Sequence, residues 1–198
     1  MVSIKPLTKS ELSEIVAFYG KAFPDWQIME GERLTRSNGP LLQQIGFEAL
    51  RSGAYRPSTA VRVLIAPNVV LLPQYLDLRH REVFPKEHLS KWERVVQAIE
   101  QQFKPSVRAP LDIQEVINLC TQSTNGSAND MCGLAALNAY IGNSTAALEW
   151  CGKLDEKFLA IGRSLEEWEL RYLNYSKELT ASIRAGKEEI FSRSGVTS

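Results

Sequence analysis

Apolar positions along the chain recur with two periods, and the change between them divides the sequence. Leu12, Ile15, Val16, Tyr19 and Phe23 recur at helical spacing. Thr8-Lys9-Ser10-Glu11 stands before them as a capping box, with the Thr8 hydroxyl accepting from the Glu11 backbone and the Glu11 carboxylate reaching back. Pro24-Asp25 ends the run. The period then shortens. Trp26 and Ile28 lead into residues 32–36, and Ser37-Asn38-Gly39-Pro40 is a strong turn. Residues 41–50 alternate, with Leu41, Gln43, Ile45, Phe47 and Ala49 on one face, which predicts a strand. Arg51-Ser52-Gly53 is a second turn, and the β-branched, apolar residues 60–66 predict another strand. These strands make a short antiparallel meander whose Phe47 face packs on the first helix.

From Pro67 onward the pattern becomes helical. Residues 71–78 fit either period, with Pro73 placed to sit in a first helical turn. Residues 86–103 form a helix with Leu89, Trp92, Val95, Val96, Ile99 and Phe103 on one stripe. Lys104-Pro105 stops it, and the two prolines of residues 104–111 mark a linker. Four helices follow. One starts at Asp112; one spans residues 129–141, with Gly142 as its C′ residue; one is capped by Ser144 and runs through Ile161. The last opens with a capping box at Ser164-Leu165-Glu166-Glu167 and carries Leu165, Trp168, Tyr172, Tyr175, Leu179 and Ile183. Its Ser/Gly-rich end is expected to be disordered. The predicted fold class is α+β: an N-terminal helix with a short antiparallel β-meander, then a mainly helical half. The expected domains are 1–104 and 105–198, or one continuous fold.

Composition narrows the function. The chain has 198 residues, 44% hydrophobic and 23% charged, enough to bury a core without disulfide or metal staples. Its 23 basic and 23 acidic residues balance, so the basic excess of a general nucleic-acid binder is missing. The first residues lack the apolar stretch of a signal peptide, and residues 61–72, the longest apolar run, are broken by Arg62, Pro67 and Asn68. Cys120, Cys132 and Cys151 are odd in number and widely spaced, which fits reduced thiols in a cytosol. A soluble cytoplasmic protein, with no nucleic-acid or membrane partner, is the expectation.

Candidate chemistry is sparse. His80 and His88 are the only histidines, and His80 lies in the polar run Asp77-Leu78-Arg79-His80-Arg81-Glu82. Their spacing fits no zinc signature, and Arg79 and Arg81 would repel a cation, so a solvated, salt-bridged segment is the favoured reading. The cysteines have apolar neighbours such as Leu119, Met131 and Trp150, and read as small buried hydrophobes rather than nucleophiles. Glu48 with Arg51, Arg56 and Arg62 supplies one carboxylate where a metal-dependent nuclease needs several. No cofactor or metal site is expected. Among the tryptophans, Trp92 and Trp168 sit on apolar stripes and read as core. Trp26, Trp150 and the Tyr55-Arg56-Pro57 segment are the candidate partner contacts, with ordinary packing the competing reading.

Two stretches resemble known families. Residues 134–148, with Ala135, Tyr140, Gly142, Ala147 and Leu148 at the small and large positions, resemble the middle of a tetratricopeptide repeat. No second copy follows at that period, so the resemblance implies a single TPR-like αα-hairpin rather than an array. Residues 8–66, with the Asn38-Gly39 turn, the Gln44-Ile45-Gly46-Phe47-Glu48 strand and Arg51-Ser52-Gly53, resemble small α+β families of unknown function from bacterial toxin–immunity loci. That resemblance implies a protective binding role. The leading expectation is a non-enzymatic immunity protein that neutralises a cognate bacterial toxin by occlusion. The alternatives are a small enzyme with a site around Asp77–Glu82 or Glu48, an adaptor or chaperone-type protein, and a subunit that acts as a homodimer or larger homo-oligomer.

Overall fold

The computed structural model describes residues 6–77 and 82–186. Helix α1 (Lys9–Ala22) starts where the capping box places it: Glu11 N donates to Thr8 Oγ1 at 3.3 Å and Thr8 N donates to Glu11 Oε2 at 2.8 Å. Five strands follow: β1 (Gln27–Met29), β2 (Arg33–Asn38), β3 (Leu41–Ala49), β4 (Tyr55–Val63) and β5 (Val69–Tyr75). They form one sheet in sequence order. The connections are far too short for a parallel crossover, so the sheet is an antiparallel meander. In its first pair Ile28 lies opposite Leu34. Burial alternates along β3, with Leu41, Gln43, Ile45 and Phe47 inside. The protein is therefore α+β, as its periods predict.

The sheet is larger than the sequence pattern indicates. Edge strand β5 takes in the first part of residues 71–78, ambiguous by period, and begins at Val69, where a helical pattern is expected; Pro73 belongs there because an edge tolerates a residue with no N–H to donate. Leu72 takes a left-handed backbone conformation at φ 51°, uncommon for a branched side chain. Helices α2 (Pro85–Gln102), α3 (Ile113–Ser123), α4 (Ala128–Tyr140), α5 (Ser144–Leu159) and α6 (Glu167–Arg184) complete the described chain. Helix α6 starts later than expected. Its first turn is closed by Glu169, which accepts from Glu166 N at 2.7 Å, so Ser164 is not the cap. No described helix is long and apolar enough to cross a membrane.

The chain forms two compact units that interleave in sequence. The first is Met1–Asn38, Leu42–Val61 and Leu72–Leu111; the second is Gly39–Leu41, Arg62–Leu71 and Asp112–Ser198. The core of the first unit joins α1, the sheet and α2 through Tyr19, Phe23, Trp26, Phe47, Ile99 and Phe103. Tyr19 stacks on Phe47 with ring centroids 4.4 Å apart, so the Phe47 face does pack on α1. Residues 104–111 are no loose linker. Gln43 Nε2 donates to Pro105 O at 2.9 Å, Trp26 Nε1 to Val107 O at 3.2 Å and Asn38 Nδ2 to Leu111 O at 2.6 Å, while Arg36 donates to Ser106 O. Each bond satisfies a carbonyl that the irregular backbone leaves without a ladder partner.

In the second unit, α4 and α5 form an antiparallel hairpin turned by Gly142 at φ 79°. Small residues face inward: Ala135, Ala139, Ala147 and Cys151, closed by Leu179 of α6. Helix α4 also lies on β5. A Cβ at Gly133 would sit 2.8 Å from the side chains of Val69 and Leu71, so only glycine allows this approach. One turn earlier, Asn129 brackets a strand residue: Val70 N donates to its Oδ1 at 3.0 Å, and its Nδ2 donates to Val70 O at 2.7 Å.

Candidate functional site

Helix α1 shows the sheet one face, and that face carries Tyr19. Strand β4 opens with Tyr55, whose backbone is paired in both directions with Val83 at 2.9 Å. Helix α2 adds His88 from its first turn. These three side chains meet in the core. Tyr19 Oη lies 2.8 Å from Tyr55 Oη, and Tyr55 Oη lies 2.9 Å from His88 Nδ1. Tyr19 and Tyr55 are fully buried and His88 is 5% exposed. Phe18 sets its ring edge-on to the imidazole, with centroids 5.0 Å apart.

Proton counting fixes the direction of this chain. If Tyr19 donates to Tyr55 and Tyr55 donates to His88 Nδ1, both hydroxyl protons have acceptors. The reverse direction would leave the Tyr19 proton without one among the described partners. The first arrangement therefore places the imidazole proton on Nε2. Burial, followed by the neighbouring Tyr55, drives the Tyr19 hydroxyl pKa far up, and burial raises Tyr55 to about 12. Burial also lowers the His88 pKa, so the ring is neutral at pH 7. The result is a buried, uncharged chain whose one spare donor is the Nε2 proton.

That donor is buried and has no hydrogen-bond partner. The His88 side chain that carries it lines a cavity of about 250 Å³ between α1 and α2. Ile15, Phe18 and Pro85 supply apolar walls, Leu89 stands at the mouth, and Glu11 and Glu14 lie on the α1 side. Leu89 is 71% exposed, which corrects its place on the buried stripe of α2; His88 occupies the inward position instead. A second hollow of about 170 Å³, over the sheet at Glu32, Arg33 and Glu48, is already charge-paired: Arg33 contacts Glu30 and Glu32, and Arg56 contacts Glu48.

The residues singled out as partner contacts are dispersed. Tyr55 is in the core because its hydroxyl completes the buried chain, and so presents no surface. Trp26 is 7% exposed, donates to Val107 O and lies under the Arg36 guanidinium, 4.9 Å from the ring centroid, so it holds the structure inside. Arg56 pairs with Glu48 and covers the Tyr75 ring. Trp150 is half-buried against the second core, with the Lys153 ammonium 4.2 Å from its ring centroid. Trp168, expected in the core, is 43% exposed, and its neighbour Glu169 is inside, held by Arg163 at 2.8 Å.

His80 lies outside the described residues, as do Leu78, Arg79 and Arg81 and the Ser/Gly-rich residues 187–198. Asp77, from the same polar run, accepts from Gln102 Nε2 at 3.3 Å. Among the described residues, no three His, Cys, Asp or Glu side chains converge as metal ligands. The three cysteines are free and buried, and burial pushes the Cys120 and Cys132 thiols up to about 12. Compared with protein-family models, curated proteins and solved structures, the chain matches none.

Proposed function

We propose that the protein acts by binding a protein partner and carries out no chemistry, as a cytoplasmic immunity protein that occludes a bacterial toxin. The observation that carries this reading is the α1–α2 face. An apolar hollow there opens beside an exposed leucine and is lined by His88, whose Nε2 is buried without a hydrogen-bond partner. The site has the composition of a recognition pocket, with mainly apolar walls and a few polar groups, His88 with Glu11 and Glu14. It is poorly suited to acid–base work: the tyrosines ionise far above neutral pH, and the imidazole resists protonation. The balanced charge of the chain agrees with a protein surface as partner rather than a polyanion.

The test is direct. The products of the genes beside this chain's gene are titrated against the purified protein by calorimetry, and cells making any toxic one are scored for protection. Tight binding, weakened about 30-fold or more by Leu89→Asp, is expected for an exposed apolar anchor at an interface centre. No binding at micromolar concentrations together with no protection would overturn the reading.

A further inference from the structure

We propose that the α1–α2 cavity receives a tyrosine side chain of the partner, whose phenolic oxygen accepts the His88 Nε2 proton. This rests on the protein-binding reading above and names the group that enters. Three observations select it. First, the cavity is lined by His88, whose buried Nε2 donor has no partner, so an occupant that brings an acceptor to that ring is favoured. The neutral ring makes the match a neutral acceptor, and Glu11 and Glu14 on the α1 side repel a carboxylate or phosphate. Second, the walls are Ile15, Phe18 and Pro85, with Leu89 at the mouth, which suits a flat apolar body rather than a hydrated one. Third, the cavity volume of about 250 Å³ lies below the usual range for drug-sized ligands and accommodates a single ring.

A phenol answers all three demands. Its ring fills the apolar part and its oxygen accepts from Nε2. Its own proton remains available to the exposed Glu14 carboxylate, which lines the same cavity. A phenylalanine would leave the imidazole donor unpaired, and a lysine would bring no acceptor. The imidazole is held ready by the chain behind it: Nδ1 is occupied by Tyr55 and the ring is braced by Phe18. Little orientation is left to lose on binding.

The experiment uses p-cresol and toluene as stand-ins for tyrosine and phenylalanine side chains, titrated into the full-length chain labelled with ¹⁵N-histidine. Saturable movement of the His88 Nε2 resonance by p-cresol is expected, with a Kd of about 1 mM, normal for so small a ligand. Toluene is expected to bind about tenfold more weakly, the worth of one buried hydrogen bond. Glu14→Gln, a surface change that leaves the fold intact, is expected to weaken p-cresol several-fold and leave toluene unchanged. Equal affinities for the two probes, or no movement of the Nε2 resonance by p-cresol, would overturn the inference. Its failure is separable from that of the protein-binding reading, because the Leu89→Asp titration uses neither probe.

Discussion

Removal of the middle hydroxyl of the Tyr19–Tyr55–His88 chain is expected to cost far more than removal of the end one. Tyr55→Phe deletes the oxygen that both accepts from Tyr19 and donates to His88 Nδ1. Two buried polar groups are then orphaned, each at about 1–3 kcal/mol. The ring contacts with Phe47 and Tyr19 survive, so the packing loss is small. The expected destabilisation is about 3 kcal/mol. Tyr19→Phe instead removes the terminal donor. Tyr55 keeps its proton on His88 and loses only one accepted bond, for about 1 kcal/mol. The assay is urea unfolding followed by circular dichroism and by fluorescence, with coincidence of the two curves required before a free energy is assigned. If Tyr19→Phe proves as costly as Tyr55→Phe, the inferred proton direction is wrong, and with it the assignment of the proton to Nε2.

Three more outcomes follow from the same structure. The His88 pKa is lowered in the fold, so below its ordinary value of 6.5 the unfolded chain binds the proton more readily and stability falls with pH. The loss is at most about 1.4 kcal/mol per pH unit until the lowered pKa is reached, and His88→Gln should flatten that part of the stability–pH curve; an unchanged slope would refute it. A thiol reagent at pH 8 should find none of the three cysteines in the native protein and all of them in urea, since a pKa of about 12 leaves only about one thiol in ten thousand ionised at Cys120 and Cys132. Asn129→Ala should cost about 2 kcal/mol and speed amide hydrogen exchange at Val70, because it strips both partners from one strand residue; unchanged exchange there would show that the bracket contributes nothing.

Local signals in the sequence were readable where they are self-contained. The Thr8–Glu11 capping box, the Gly142 turn and the Leu41–Ala49 alternation each state their own geometry, and all three are present. Strand β5 was hidden because Pro73 argues against an interior strand, and only the sheet order reveals that this strand is an edge. The helix faces failed in a consistent way. At the start of α2 the polar His88 is inside and the adjacent Leu89 outside; at the start of α6 Glu169 is inside and Trp168 outside. Each apolar residue had an equally good helical spacing to the stripe. What reversed the choice was a partner: Tyr55, distant in sequence, for His88, and Arg163 for Glu169. The candidate site was illegible for the same reason, since neither Tyr19 nor Tyr55 carries any mark of meeting His88.

The bracket that Asn129 places on Val70 spans 59 residues of sequence. On the ribosome that separation becomes a delay. At about 5–20 residues per second, β5 waits roughly 3–12 s after its synthesis for the helix that covers it. Until then its outer backbone groups, with Val69 and Leu71 beside them, form an unguarded edge open to other nascent chains. The proline in that strand, which obscured it in the sequence, is also what blunts the edge meanwhile.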